Sequence, residues 1–178
     1  MTNIFGMNKD HTTFSWTNLG NIKEGRGSLG DEMPVMVYRL MQFTMYDVLN
    51  KKYGKEQANL IFYESGRLAG SEFAKNTLDL KLGFDSFISG LQAALETMKV
   101  GILRVESVNR DASEIVLTVG EDLDCSGLPI TGETVCIYDE GFISGILEVY
   151  TNTRYTVREI DCWASGDRTC RFKCTAEK

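Results

Sequence analysis

Two hydrophobic periods divide this chain. Between residues 33 and 101 apolar positions recur every three to four residues. Beyond that they alternate, except for one further helical stretch. The segment "MPVMVYRLMQFTMYDVLNKKYG" carries Val37, Leu40, Met41, Met45, Val48 and Leu49 at helical spacing. Pro34 suits a first turn and Gly54 a stop. A second helix is predicted in "KEQANLIFYESGRLAGSEFAKNTL", where Ser65, Gly66, Ala69 and Gly70 leave a shallow groove for another helix. "FDSFISGLQAALETMKVG" reads as a third. "GILRVESVN" and "SEIVLTVGE" alternate as strands about the turn "RDA". "ETVCIYDEGFISGILEVYTN" is the fourth main helix, with Gly141 and Gly145 on one face, and "RYTVREIDCW" and "TCRFKC" close the chain as strands about "ASGD".

That order predicts an α+β fold of four main helices packed on a twisted antiparallel sheet. Residues 1–30 are polar and glycine-rich and read as an extension, with a short strand in "TTFSWTNL" and a loop at "KEGRGSLGDE". Residues 31–178 read as a single domain; no repeat or linker interrupts them.

Composition narrows the function classes. The net charge of −6, from 25 acidic and 19 basic residues, disfavours a phosphate-binding surface. No basic cluster interleaves with aromatics, so a direct nucleic-acid partner is not expected. No stretch approaches the roughly 18 apolar residues of a membrane span. The start lacks a signal-peptide pattern. A cytoplasmic protein with reduced thiols is the expectation.

Three of five cysteines fall in "REIDCWASGDRTCRFKC". A hairpin symmetric about Gly166 puts Cys162 across from Cys170, Ile160 across from Phe172 and Arg158 across from Cys174. Opposed Cβ atoms lie about 4.5–5.5 Å apart, which lets two thiolates share one zinc or form a disulfide. Cys136 offers a third sulfur from the fourth helix. The fourth donor is open on spacing alone. Glu159 sits three residues before Cys162, on the opposite face of a regular strand, and can join only through a bulge. Cys174 is about 13 Å along the strand from Cys170, and Cys125 can enter from its loop. Buried core thiols are the plain alternative to a metal site.

These residues carry a resemblance. Cys125 with Gly127, Cys136 followed by the Gly141–Phe142–Gly145 helix, Glu159 before Cys162, and Gly166, Asp167, Cys170 and Phe172 together resemble the core of the 4-vinyl reductase domain family. "ANLIFYESGRLAG" resembles a helix of the same fold more weakly. The resemblance implies a fold like that of transport-protein-particle subunits. It also implies a structural zinc ion on Cys136, Glu159, Cys162 and Cys170, with an irregularity before Cys162, and a small aromatic effector bound nearby as in aromatic-responsive bacterial activators. A site using Cys125 or Cys174 in place of Glu159 is the alternative.

An apolar pocket is expected among the helical aromatics and methionines, represented by Met45, Tyr46, Phe62, Phe84 and Phe87, together with Trp163 beside the cysteines. The same residues would equally fill an ordinary core. The only histidine is His11, so the histidine anchor of the phenol-sensing members has no counterpart in the helices, and a more apolar or larger ligand, a tetrapyrrole included, fits as well. No nucleotide-binding glycine pattern follows a strand, and the residues give no catalytic set. The reading is a non-enzymatic sensor or carrier of a small apolar or aromatic molecule, acting through a separate regulatory partner and dimerising through its N-terminal helices. A dimerising assembly protein, or a tetrapyrrole-related accessory protein, is the alternative.

Overall fold

The computed structural model describes residues 14–177. The chain divides into two compact units, residues 1–32 and 33–178. In the first, Trp16–Leu19 form a 3-10 turn and α1 spans Ile22–Gly25. Where alternation suggested a strand, Asn18 Oδ1 instead accepts the Ser15 amide at 2.7 Å and curls the chain. Thr12 and Thr13, the start of that expected strand, and His11 lie outside the described residues.

The second unit contains α2 (Val35–Tyr53), α3 (Lys55–Thr77), α4 (Phe84–Thr97), β1 (Ile102–Asn109), β2 (Glu114–Gly120), α5 (Ile137–Thr151), β3 (Tyr155–Asp161) and β4 (Cys170–Ala176). The strands form one antiparallel sheet in the order β1-β2-β4-β3. Its inner face presents Leu103, Ile115, Leu117, Val119, Val157 and Phe172, all buried. Helices α4 and α5 cover that face, α3 lies against α5, and α2 lies against α3. The architecture is α+β, with helices on one antiparallel sheet.

Helices α3 and α5 approach closely because both carry glycines at four-residue spacing. A Cβ on Gly66 would stand 2.0 Å from the Tyr138 carbonyl oxygen, and one on Gly70 2.0 Å from that of Phe142. The contact is reciprocal: Gly141 meets the Tyr63 carbonyl and Gly145 that of Arg67. The groove read from "SGRLAG" is therefore filled by α5, and this docking fixes where the start of α5 lies.

Helix α2 inverts its expected face. Val37, Leu40, Met41, Met45 and Val48 are exposed, whereas Gln42 is buried and Tyr38, Arg39 and Tyr46 are half-buried. The polar-tipped side turns inward because the loop after β2 presents carbonyls and a carboxylate that need donors.

Candidate metal centre

Four segments converge at the end of α5. The first is the loop after β2. Asp122 Oδ1 accepts the amides of Asp124 at 2.7 Å and Cys125 at 3.2 Å, folding the chain so that Cys125 faces inward. Helix α2 secures this loop. Arg39 donates to the carbonyls of Leu123 (2.8 Å) and Ser126 (2.9 Å), and Tyr38 donates its hydroxyl to Asp124 at 2.8 Å.

The second segment is the start of α5. Cys136 is its N-cap residue. Glu159 Oε2 accepts the amides of Val135 (3.1 Å) and Cys136 (2.9 Å), so the carboxylate satisfies donors that an α-helix leaves free at its start. Below it, Glu140 holds α5 to β3: it accepts from the Glu159 amide at 2.8 Å and from Arg158 at 2.9 Å.

The hairpin supplies the other two sulfurs. Its register differs from the symmetric expectation. Glu159 pairs with Phe172, Val157 with Cys174 and Arg158 with Lys173, with an irregularity between Glu159 and Asp161. The extra residue is Ile160, which is exposed. Tyr155, Val157 and Glu159 face inward by strict alternation. The bulge then restores Cys162 to the same side, where unbroken alternation would turn it outward. A 3-10 turn at Trp163–Ser165 and Gly166, at φ 113°, complete the reversal. Trp163 donates its indole N–H to the Leu128 carbonyl at 3.0 Å and ties this turn to the Cys125 loop.

Sγ atoms of Cys125, Cys136, Cys162 and Cys170 all lie within 4.8 Å of one another, and all four residues are buried. Cys125 and Cys170 sulfurs are 3.0 Å apart; Cys136 is 3.9 Å from both Cys162 and Cys170. Four thiolates about 2.3 Å from a tetrahedral ion would be separated by roughly 3.8 Å. The observed spacing needs only a small opening between Cys125 and Cys170.

Glu159 stands outside this four-donor group, beside it. One carboxylate oxygen serves the two amides, and Oε1 is buried without a hydrogen bond. The fold thus brings Cys136, Cys162 and Cys170 together, adds Cys125, and gives Glu159 a capping position. Cys174 is buried but is not in the group. The "DxDC" turn that aims Cys125 inward was the available signal for it in the sequence.

Electrostatics around the sulfurs are one-sided. Burial pushes the Asp122 carboxyl up to about 7, with Asp124 adding to the rise. Asp139 is raised well above the usual carboxylate range by burial and by Asp124, Asp122 and Glu159. Burial likewise lifts Glu159 to about 8, partly offset by the amides it accepts. Hydrogen bonds among the thiols raise Cys136 and Cys170 and lower Cys162, which is the sulfur best placed to be the thiolate. Asp122, Cys136 and Asp139 also bring donor atoms within 4.8 Å of one another. A buried group of thiols and carboxyls with only acidic neighbours among the interactions that raise Asp139 is stabilised by a bound cation. The soft sulfur set suits zinc.

The six residues expected to line a ligand pocket are dispersed. Met45 is exposed. Tyr46 and Phe62 pack edge to face at 5.2 Å and line a cavity of about 150 Å³ between α2, α3 and residues 133–137. Phe87 stacks on Tyr150 at 3.7 Å, and Phe84 is half-buried at the start of α4. Trp163 lines an open hollow with Arg39 and Arg168. A second, smaller cavity of about 30 Å³ lies between α4, α5 and the sheet; its wall is apolar except for Asp122 and Asp139.

Helices on one face of a four-stranded antiparallel sheet, with a thiol cluster where α5 meets the last hairpin, define an α+β domain of the transport-particle type. Residues 115–176, which include every cysteine of the cluster, match the 4-vinyl reductase domain family, so the chain carries a 4-vinyl reductase domain. The uncharacterised protein MJ1642 of Methanocaldococcus jannaschii is 29% identical over 145 residues, 82% of this chain and 79% of its own. Among solved structures, the phenol-responsive sensory domain of the transcription activator PoxR, bound to phenol, superimposes with a TM-score of 0.59 at 15% identity, covering 83% of this chain and 76% of that one. A trafficking protein particle complex subunit 3 from Naegleria fowleri, covalently bound to palmitic acid, gives 0.57 at 16% identity, covering 80% and 97%. These similarities establish the fold. No helix of the described residues is long and apolar enough to cross a membrane.

Proposed function

We propose that this protein is a non-enzymatic small-molecule-binding module, a sensor or carrier, whose α5–hairpin corner is locked by one zinc ion on Cys125, Cys136, Cys162 and Cys170. The observation that carries the metal assignment is the four buried sulfurs within 4.8 Å of one another. Four thiolates leave no open position for water or substrate, so the ion's role is structural. It joins the loop after β2, the start of α5 and both arms of the hairpin. Glu159 supports the site by capping α5 and holding Cys136 in place. The small-molecule assignment is supported by the enclosed cavities in the second unit and by the ligands named for the PoxR and trafficking-particle structures. A cytoplasmic setting, with the bound state read out by a separate partner protein, completes the reading. Native mass spectrometry of the purified protein tests it: a mass increment of one zinc per chain is expected, and a metal-free protein that keeps its fold would overturn the metal assignment.

A dimer is proposed on a separate observation. The outward face of α2 exposes Val37, Leu40, Met41 and Val48, each about half accessible. Contiguous apolar surface on a helix is the usual mark of an interaction face, and a second copy of the chain, pairing α2 with α2, would cover it.

A further inference from the structure

The cavity between α2, α3 and residues 133–137 is enclosed, and one of its walls is chemically unusual. Its volume of about 150 Å³ matches the roughly 150 Å³ of an apolar protein cavity that admits benzene. Phe43, Tyr46, Phe62, Val135 and Ile137 supply most of its lining. The aromatic wall is already fixed: Tyr46 meets Phe62 edge to face and donates its hydroxyl to Asn59 at 2.6 Å. A preformed wall lowers the ordering cost of binding.

Gln42 forms part of the wall on the α2 side. It is more than nine-tenths buried. Its Nε2 donates to Asp124, which fixes the amide orientation, because a carboxylate can only accept. Oε1 is consequently committed to the opposite direction and accepts no hydrogen bond. A buried amide oxygen without a donor is a cost that a ligand donor removes. The opening lies by the Lys55–Glu133 ion pair, 3.0 Å long and solvent-exposed on both sides. Such pairs are weak, so this one can part to admit a ligand.

We propose that this cavity binds a neutral single-ring compound bearing one N–H or O–H donor, with the ring against Tyr46 and Phe62 and the donor on Gln42 Oε1. The proposal rests on the small-molecule reading above and specifies its ligand class. A carboxylate ligand is disfavoured, since it would bring a second acceptor to Oε1.

Aniline and toluene are near-equal in shape and differ in the donor, so they are the probes. In a methyl-detected NMR titration of the purified protein, aniline should shift Val135 and Ile137 and bind about tenfold more tightly than toluene, the factor of one net hydrogen bond. Gln42→Met should remove that preference while toluene binding persists. Val135→Phe, which fills the cavity, should abolish binding of both, with far-UV circular dichroism confirming the fold. Equal affinities in the unaltered protein overturn the role of Gln42. No shift with either probe overturns the site. Shifts centred on Ile88 and Leu91 would move the ligand to the cavity under α4, overturning this site while sustaining the broader reading.

Discussion

Gly70→Ala should damage this protein well beyond what one methyl group suggests. The added Cβ would stand 2.0 Å from the Phe142 carbonyl oxygen, where ordinary contact begins at 3.4 Å, so the helices must part locally by 3.4 − 2.0 = 1.4 Å. The obstacle is backbone, which cannot rotate away. Overpacking of this kind costs typically 1–3 kcal/mol, and the rigid neighbour argues for about 3. Alanine's helix preference returns about 1 kcal/mol. The net loss of about 2 kcal/mol is a large share of the roughly 5–15 kcal/mol that holds a typical protein folded. At about 2–4 °C per kcal/mol for a chain of this size, the melting temperature should fall by about 4–8 °C. Gly90→Ala is the internal control. It lies within α4, and a Cβ there meets nothing within 4 Å, so it should be neutral or stabilising by up to about 1 kcal/mol. Thermal unfolding by circular dichroism, on protein of equal metal content, separates the two. If Gly70→Ala melts within about 1 °C of the parent, a shift too small for any overpacking cost, the reciprocal glycine contact does not set the spacing of α3 and α5, and the account of how α5 is positioned fails.

Further outcomes test the site and the assembly. Cys→Ser at 125, 136, 162 or 170 should abolish zinc binding by elemental analysis, while Cys174→Ser should keep the metal and lose about 1–3 kcal/mol by placing an uncompensated hydroxyl in the core. Glu159→Gln should retain zinc and lose about 1–2 kcal/mol of stability as a charged acceptor is replaced by a neutral one; zinc loss in this variant would restore Glu159 as a ligand. In the metal-free protein, Asp122, Asp139 and Glu159 bind protons more tightly folded than unfolded. Stability should therefore fall as pH rises from about 4.5 to about 8. The stabilisation added by zinc should change in the opposite sense over the same range, because thiolates must be free of protons to bind it; urea titrations with and without metal check both signs, and a metal-free protein more stable at about pH 8 than at about pH 5 would refute the first. Leu40→Glu with Met41→Glu should convert a dimer to a monomer in light scattering without lowering the melting temperature of the monomer, and a parent already monomeric at high micromolar concentration would rule the α2 interface out.

Much of the fold was legible in the chain because its signals are local. Helical spacing in residues 35–53, 55–77 and 84–97 and alternation in β2 depend on neighbours a few positions away, and the glycines of α3 and α5 announce a close helix contact by composition alone. The family spacing of Cys136, Cys162 and Cys170 likewise marked three members of the thiol cluster. Several features were decided only by tertiary structure. Which face of α2 turns inward depended on the unmet carbonyls and carboxylate of residues 122–126, distant in sequence, and their demand for donors outweighed the burial of a hydrophobic stripe. The hairpin register depended on where the extra residue bulges. At Ile160 it leaves Glu159 and Cys162 both facing inward, and no periodicity in "REIDCW" distinguishes that position from its neighbours. Glu159 and Cys125 exchange their expected places for a related reason. A carboxylate beside the free amides of a helix start is drawn to them, while Cys125 is carried inward by an Asp122 turn whose direction is set by α2. Donor types are written in the sequence; which of them share one point in space depends on how helices and loops pack.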